Sequence, residues 1–371
     1  MVRLFFYLIC CAFLNAQQIK DERAIVFPNL SEHLTLIGDF HTHTVFSDAD
    51  VWPNIRVKEA NLDYLDILAI TDHLYQDQNY AGNKFIDISD KNRAFDIAQK
   101  YVKNELLLIN GVELSRKNPL GHVNAVFVND VNKFIFDDEK MMFFEAKKQN
   151  AFVFWNHPYR GQEPYGTIKL PDIHKDLIDQ GLMHGIEIVN RNKFSEHALQ
   201  IALDNNLTLM GNSDIHGIID WEYEVSQGGH RPVTIVFSKN RSQESVREAL
   251  FNRQTVVWHK NNLIGRKEWL IPLIKSSLTV EKFYYKYDKS SYKKDLAYVE
   301  ITNNSDAKFV LKNIGMYEFF ENSDLIEILP HKKIQLQVIT LSVLDSFNLD
   351  FEVLNAIYEP RKHPKISLEV R

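Results

Sequence analysis

Short apolar runs separated by polar stretches dominate the first two thirds of the chain. They are rich in Leu, Ile, Val and Phe, and they occupy residues 34–40, 64–70, 106–112, 124–128, 151–155, 185–189, 207–210 and 232–237. Each run has the length of a buried strand rather than of a helix. Two of the stretches between them, residues 92–103 and 194–205, carry apolar positions at helical spacing. This alternation predicts an α/β fold with a parallel sheet, closed or open.

The pattern changes after about residue 265. Shorter runs at residues 277–287, 296–302, 308–311, 325–329 and 334–339 mix apolar and polar positions and are separated by turn-like segments. They predict a small antiparallel, sandwich-like β domain at residues 266–371, after a barrel-type domain at residues 17–265. The β domain has few candidate catalytic residues, so we expect it to have a structural or substrate-presenting role.

The first residues have the layout of a secretory signal peptide. A basic start at Arg3 precedes an apolar run at residues 4–14, and Ala16 offers a small residue for cleavage. A membrane anchor would need about 20 apolar residues, and a lipoprotein would need a small residue where Ile9 precedes Cys10. We therefore expect residues 1–16 to be removed and the protein to be exported, to the periplasm or beyond, with no stable membrane span.

Composition narrows the chemistry. Of 371 residues, 45% are hydrophobic and 25% are charged, which is typical of a soluble globular protein. The formal net charge of −6 argues against broad nucleic-acid binding. Cys10 and Cys11 both lie in the predicted signal peptide, so a transition-metal site in the mature chain has only histidine and carboxylate ligands.

Candidate ligands follow the apolar runs at the points where the predicted strands end. Polar groups at the carboxyl ends of successive strands are typical of a barrel enzyme. Those at or beside strand ends are His41, His43, Asp48, Asp72, His73, Glu113, His122, His157, Asp214 and His216.

The types and spacing of these residues favour a metal site. His41 and His43 are two residues apart, so in an extended segment both side chains point the same way. A carboxylate such as Glu113 suits a bridge between two cations. Asp72 either orients a ligand or caps a strand. Histidine and carboxylate donors suit Zn, Mn or Fe, and their number predicts two or three divalent ions.

The ordered motifs resemble those of the polymerase and histidinol phosphatase (PHP) superfamily over roughly residues 35–260. They are His41-Thr42-His43-Thr44 with Ser47-Asp48, Thr71-Asp72-His73, Gly111-Val112-Glu113-Leu114, Gly121-His122, Asn156-His157-Pro158 and Ser213-Asp214-Ile215-His216. The resemblance implies a distorted seven-stranded (β/α) TIM-like barrel with a trinuclear metal site, and a chemistry of phosphoester hydrolysis.

The resemblance also implies how the ligands are shared. The first metal would be held by His41, His43, Glu113 and Asp214, the second by Glu113, His122 and His157, and the third by Asp48, His73 and His216. Asp48 has a competitor in Asp50, because the ligand at this point varies across the family.

The expected function is hydrolysis of a phosphodiester or phosphomonoester bond in a small organic phosphate by a metal-activated water. Arg160, Arg191, His230 and Arg231 are the candidate phosphate-binding residues. A cytoplasmic histidinol phosphatase fits poorly with export. An amidohydrolase-like enzyme is an alternative, although no metal-bridging Lys follows a predicted strand. A non-enzymatic surface protein that binds metal or glycan is the third reading. Oligomeric state is left open.

Overall fold

The computed structural model describes residues 23–74, 85–103, 105–160, 168–286 and 296–371. The predicted signal peptide lies outside the described residues. The first domain is built on one large curled sheet, and most of its strands are buried along their whole length. Its strands are β1 (Leu34–Asp39), β2 (Ile67–Ile70), β3 (Leu107–Ser115), β4 (His122–Val126), β5 (Phe152–Trp155), β6 (Gly185–Asn190), β7 (Lys193–Phe194), β8 (Thr208–Asn212), β9 (Val233–Ser238), β10 (Thr255–His259) and β11 (Asn262–Gly265).

Helices join many of these strands, as the sequence pattern predicts. They are α1 (Pro53–Leu62), α2 (Arg93–Gln99), α3 (Glu139–Lys148), α4 (Asp172–Asp179), α5 (Glu196–Asp204), α6 (Ile219–Glu222), α7 (Gln243–Phe251) and α8 (Lys267–Ser277). Side-chain caps fix several starts: the Ser195 hydroxyl accepts from the N–H of Ala198 at α5, and Ser242 accepts from the N–H of Ser245 at α7. The two predicted helices are confirmed, with ends a few residues shorter.

The sheet is mixed, which corrects the prediction of a parallel one. Its order is β11-β10-β9-β1-β2-β3-β4-β5-β6-β7, and β8 also pairs with β6. A two-residue strand from the C-terminal region, Ala356–Ile357, extends the sheet beside β11. β1–β2, β2–β3, β5–β6 and β6–β8 are parallel, whereas β3–β4, β4–β5, β1–β9 and β9–β10 are antiparallel. The six residues between β3 and β4 are too few for a crossover, so these strands form a hairpin.

Side chains complete the curl between β8 and its neighbours. The Thr234 hydroxyl accepts from the N–H of Gly211 at 2.9 Å and donates to its carbonyl at 3.0 Å, and the Thr255 hydroxyl donates to Leu209 O at 2.9 Å. A Cβ at Gly211 would lie 2.2 Å from the side chain of Val257, so only glycine allows this approach. These contacts confirm the predicted distorted barrel.

The C-terminal region forms two antiparallel four-stranded sheets, in the orders β12-β13-β17-β15 and β16-β14-β18-β20. Alternating burial along β14 and β18 shows one face of the second sheet turned inward. The predicted sandwich-like domain is confirmed, although the sequence reading missed β18 and β20. Its strands are β12 (Leu278–Tyr285), β13 (Leu296–Asn303), β14 (Phe309–Asn313), β15 (Glu318–Phe319), β16 (Leu325–Ile328), β17 (Lys333–Ile339), β18 (Phe347–Val353), β19 (Ala356–Ile357) and β20 (Lys365–Val370).

A strand pair and side-chain hydrogen bonds connect the two domains. β19 pairs with β11 of the barrel sheet in parallel. Beside it, the Asn355 amide donates to Asn261 O at 2.9 Å and Lys308 O at 2.6 Å, while its oxygen accepts from the N–H of Val310 at 2.9 Å. The boundary between residues 265 and 266 stays a prediction. None of the helices in the described residues has the length and apolar content needed to cross a bilayer.

His174 is a buried packing residue whose protonation opposes folding. Its Nε2 donates to Leu120 O at 2.7 Å, and its ring meets Trp155 edge-on at 4.2 Å. Burial lowers the pKa of His174 to about 4. The folded-state pKa therefore lies below the unfolded value, so the stability that neutral His174 allows is present above about pH 6.5 and lost as the pH falls towards 4.

We expect His174→Leu to flatten the acid side of the stability profile. Between about pH 7 and pH 5, the wild-type free energy of unfolding should fall by about 2 kcal/mol more than that of the variant. Urea unfolding at both pH values measures this. His197→Leu, at an exposed site on α5, is the control and should keep the wild-type slope. Equal slopes for wild type and His174→Leu would show that this imidazole does not contribute.

Candidate metal centre

The segment that follows β1 brings two histidines to the end of the barrel. Thr42 bridges to Ile215 in the loop after β8, so His41 and His43 point to the same side. Both are fully buried, and their Nε2 atoms lie 3.0 Å apart. Asp214 Oδ1 lies 3.3 Å from the first of these nitrogens and 3.2 Å from the second.

Glu113 on β3 stands at the middle of the cluster. Its Oε1 accepts from His122 Nδ1 at 2.9 Å and Asn156 Nδ2 at 2.9 Å, and it lies 3.3 Å from His157 Nε2. Its Oε2 lies 2.8 Å from His73 Nδ1. The two oxygens of one carboxylate therefore face two different sets of imidazoles.

The third set of side chains surrounds Asp48. Its Oδ1 lies 3.5 Å from His73 Nε2 and 3.2 Å from His216 Nε2. The His43 and His216 rings stack at 4.3 Å. The structure places Asp48 in this set, whereas Asp50 takes part through its backbone N–H, which donates to His216 O.

All nine predicted ligands thus meet at one end of the barrel. Three groups place one ligand atom from each member within 4.8 Å of the others: His43, Asp48, His73 and His216; His41, His43 and Glu113; and His73, Glu113 and His122. Compared with the predicted sharing, His73 also joins the group of Glu113 and His122, and His43 also joins the group of Asp48. His157 and Asp214 belong to none of these three groups, although both lie within 3.3 Å of a member.

The donors fit divalent cations. Glu113 Oε2 is fully buried and accepts no well-aligned hydrogen bond within the described residues. This holds although three imidazole nitrogens are close to it, at 2.8 Å (His73 Nδ1), 3.3 Å (His43 Nε2) and 3.5 Å (His41 Nε2). A buried carboxylate oxygen needs a partner, and a cation would provide one. Imidazole nitrogens with carboxylate oxygens and no sulfur are a donor set for Zn, Mn or Fe.

In the cluster, the carboxylates and the imidazoles each stabilise the charged form of the other against the effect of burial. Burial alone would raise the pKa of Glu113, but His73, His41 and the hydrogen bonds from His122 and His157 hold that pKa well below its ordinary value. Burial lowers the pKa of His73, but Glu113 and Asp48 outweigh it and raise the pKa to about 10. The carboxylates of the cluster therefore favour positive charge between them. Protons on the imidazoles supply it here, and bound metal cations would supply it instead.

Glu187 on β6 is a site residue that the sequence reading missed. Its Oε1 accepts from His41 Nδ1 at 2.9 Å and Asn212 Nδ2 at 3.0 Å, and its Oε2 accepts from the N–H of His157 and from Asn190 Nδ2, both at 2.8 Å. Fixing Nδ1 of His41 leaves Nε2 facing the cluster. The signal was present, because a glutamate inside the fully buried run of β6 is costly without partners.

We expect Glu187→Gln to weaken metal binding by about 10–100-fold, since partners that orient a metal-binding histidine have effects of this size. Competition with a coloured chelator measures the affinity. Glu248→Gln, at an exposed position on α7, is the matched control and should bind metal like the wild type. An unchanged affinity in Glu187→Gln would contradict the orienting role.

Asp72 organises the loop that carries Asp48. Its carboxylate accepts from the N–H of Thr44, the Thr44 hydroxyl and the Ser47 hydroxyl, each at 2.6 Å. Of the two roles that the sequence suggested, the structure therefore favours orientation: Asp72 acts on the position of Asp48 through the backbone.

A cleft of about 680 Å³ opens over the cluster. Arg160 and Arg191, two of the predicted phosphate-binding residues, line it together with Tyr159. Arg191 is half-exposed, and its Nη2 donates to His216 Nδ1 at 2.8 Å. Both guanidinium groups are therefore beside the space that a substrate would fill.

The other two predicted phosphate-binding residues lie elsewhere, which corrects that interpretation. Arg231 is fully buried and forms ion pairs with Asp63 at 2.6 Å and Asp39 at 3.1 Å. His230 stacks on Trp258 at 3.6 Å. Neither residue lines the cleft. The Arg231 guanidinium is already paired with the carboxylates of Asp39 and Asp63, so it is not available to an anion in the cleft.

Comparison with solved structures gives an extensive match to a two-domain protein. A two-domain protein from Bacteroides vulgatus ATCC 8482, containing a predicted PHP-like metal-dependent phosphoesterase, is 36% identical with a TM-score of 0.84. The match covers 94% of this chain and 98% of that chain. The model of an Ig-like domain matches residues 278–369. No curated protein matches the chain.

Two further structures are only remotely similar. An amidohydrolase from Chromobacterium violaceum is 13% identical, covering 48% of this chain and 87% of that chain, with a TM-score of 0.36. A predicted metal-dependent phosphoesterase from Bifidobacterium adolescentis is 17% identical, covering 58% of this chain and 96% of that chain, also with a TM-score of 0.36. Likenesses this low indicate nothing about function.

The identity and coverage of the Bacteroides match, the Ig-like C-terminal domain and the confirmed barrel agree with one another. This chain belongs to the PHP-like metal-dependent phosphoesterase family, in its two-domain form.

Proposed function

We propose that this protein hydrolyses phosphoester bonds of a small organic phosphate, with two or three divalent cations held by the nine clustered side chains. The observation that carries the proposal is Glu113. Its buried carboxylate lies within 3.5 Å of five imidazole groups, and three of these, His73, His122 and His157, line the open cleft. This arrangement suits adjacent cations bridged by one residue.

The cations, when bound, would supply an activated water and neutralise charge on the phosphoryl oxygens. The chain's own residues complete the site. Arg160 and Arg191 are placed to bind phosphoryl oxygens, which arginine does in bidentate fashion. The Ser115 hydroxyl in the cleft bonds to His73 Nδ1 at 2.5 Å, so we assign it to positioning rather than to attack on phosphorus.

The test compares bis(p-nitrophenyl) phosphate with p-nitrophenyl phosphate, using protein loaded in turn with Zn, Mn and Fe. We expect turnover of at least one ester and its loss in His157→Ala, whose Nε2 faces Glu113. His197→Ala on the exposed face of α5 is the matched control and should retain activity. Faster turnover of bis(p-nitrophenyl) phosphate would indicate a phosphodiesterase, and faster turnover of p-nitrophenyl phosphate a phosphomonoesterase. No turnover of either ester, with metal shown by elemental analysis, would contradict the proposal.

We also propose export, based on the predicted signal peptide at residues 1–16. Amino-terminal sequencing of the protein expressed with its native start measures this directly. A mature chain that begins near Gln17 in the exported fraction is the expected result. An unprocessed chain in the cytoplasm would contradict export.

A further inference from the structure

We propose that a basic subsite beside the metal centre binds a second anionic group of the substrate, so that the preferred phosphoesters carry two negatively charged groups. This inference rests on the proposed phosphoesterase function and names its substrate class. The hairpin subsite, as we call it, consists of Arg116 and Lys117 in the β3–β4 turn and of Arg160 after β5.

The hairpin fixes these cations relative to the cluster. β3 carries Glu113, and β4 begins at His122, which pairs with Ser115 across the ladder. Immediately beyond that pair, the N–H of Arg116 donates to Gly121 O at 3.1 Å, and the N–H of Gly121 donates to the carbonyl of residue 117 at 3.2 Å. The turn that carries Arg116 and Lys117 therefore connects the strands of two predicted metal ligands, Glu113 and His122.

The subsite opens into the catalytic cleft. It forms a cavity of about 270 Å³ that shares His122, His157 and Arg160 with the larger cleft over the cluster. The two imidazoles stand at the border between the two spaces. A small molecule with one acidic group on the metal ions would therefore reach the hairpin subsite with a second acidic group.

The charge of the lining selects anions. Among the described residues that line the subsite, Arg116, Lys117 and Arg160 are cationic and none is acidic, in a chain whose net charge is −6. Several positive groups around one small cavity favour a phosphate, sulfate or carboxylate.

Arg116 is held in place before any ligand arrives. Its Nη1 donates to Ser115 O at 2.9 Å, its Nη2 lies 3.3 Å from Met142 Sδ, and Glu139 Oε1 is 3.8 Å from its Nε. A partly exposed ion pair at that distance is weak, so an anion in the cavity can compete with Glu139 for the guanidinium. A side chain fixed in advance loses little entropy when an anion binds.

A simpler explanation is that these are solvated surface charges that attract every anion alike. Long-range attraction speeds the approach of all anionic substrates and is screened by salt. A subsite instead discriminates between ligands that share one acidic group and differ in the second. The two explanations therefore predict different results for matched pairs of ligands.

The first measurement is binding, which does not depend on turnover. Titration calorimetry on metal-loaded protein compares propane-1,3-bisphosphonate with propylphosphonate, whose C–P bonds resist hydrolysis. We expect the wild type to bind the bisphosphonate about tenfold or more tightly, since each tenfold step is about 1.4 kcal/mol and charged hydrogen bonds contribute that much. The double variant Arg116→Gln/Lys117→Gln should lose this preference. Lys312→Gln/Lys332→Gln, two exposed positions in the Ig-like domain, removes the same charge and should keep it.

The second measurement is hydrolysis of three esters: glycerol 3-phosphate has no second acidic group, 3-phosphoglycerate has a carboxylate, and propane-1,3-diol bisphosphate has a second phosphate. In Arg116→Gln/Lys117→Gln, kcat/KM for the two esters with a second acidic group should fall about tenfold or more, mainly through KM, and that for glycerol 3-phosphate about threefold or less. Comparing the carboxylate ester with the bisphosphate also separates a carboxylate-binding from a phosphate-binding subsite.

The outcomes separate the two proposals. Turnover without any preference for a second anionic group, or equal losses on all three esters, would overturn the subsite and leave the phosphoesterase function standing. A bisphosphonate preference that depends on Arg116 and Lys117, with no ester hydrolysed, would support the subsite and overturn the proposed function.

Discussion

Replacing Glu113 by Gln is expected to reduce hydrolysis by on the order of 10³-fold and to lower the number of bound cations. Metal ions contribute several kcal/mol to the stabilisation of a phosphoryl transition state, and each 1.36 kcal/mol is a factor of ten in rate. Glu113 faces His73, His122 and His157 with its two oxygens. An amide would keep the size of the side chain but remove the negative charge that allows cations to lie close together.

Metal content by elemental analysis and kcat on the best p-nitrophenyl ester measure the two effects. Glu145→Gln is the matched control, because Glu145 is also buried but lies on α3, where it accepts from Gln149 Nε2 at 2.8 Å. The control should keep its metal and its activity. A folded Glu113→Gln protein that binds as much metal as the wild type and has more than about a tenth of its activity would contradict the proposed role of Glu113 as a bridge between metal ions.

Replacing Arg231 by Met should destabilise the protein by about 3–5 kcal/mol, the usual effect of removing one partner of a buried ion pair. Arg231 Nη2 lies 2.6 Å from Asp63 Oδ2, and its Nη1 lies 3.1 Å from Asp39 Oδ2. Burial lowers the pKa of Arg231, but Asp63 and Asp39 outweigh it, so the pKa is raised and the charge is kept. Without the guanidinium, two buried carboxylates would lose a compensating charge.

The same substitution should also affect the candidate site. Asp39 accepts from the N–H and the hydroxyl of Ser213, at 3.1 and 2.6 Å, and Ser213 precedes Asp214. We therefore expect weaker metal binding as well as a lower free energy of unfolding, measured by urea denaturation. Arg361→Met, at an exposed position in the C-terminal domain, should change stability by less than about 0.5 kcal/mol. A loss below about 1 kcal/mol in Arg231→Met would show that water or a rearrangement compensates the carboxylates.

Much of the candidate site was predictable, because a single local rule places it. A polar residue directly after a buried apolar run lies at a strand end, and the strand ends of a curled sheet converge. His41, Glu113 and Asp214 were found in this way, and the structure brings a ligand atom of each within 3.3 Å of His43 Nε2. Glu187 escaped the rule because it interrupts the apolar run of β6, between Ile186 and Ile188, rather than following it.

The two misplaced phosphate-binding residues show where the rule fails. Arg231 precedes β9, which runs antiparallel to β1, so it lies at the end of the sheet where β1 ends. Its guanidinium nevertheless pairs with Asp39 and Asp63 and does not line the cleft. The apolar run of β9 carries no information about which side chains surround its first residues, so the sequence could not show that two carboxylates bind this guanidinium.

The sequence by itself determined most of the strands, the presence of a C-terminal β domain and the nine candidate ligands, because burial, turns and ligand chemistry are local properties that each residue type expresses. Only the tertiary structure decided which strands run antiparallel, how the barrel closes through Thr234 and Thr255, and which charges face each other. It pairs Arg231 with Asp39 across nearly two hundred residues and places Arg116 and Lys117 beside His122 through one hairpin. Such choices depend on which elements meet in space, and a linear pattern carries that information only where the connection is short.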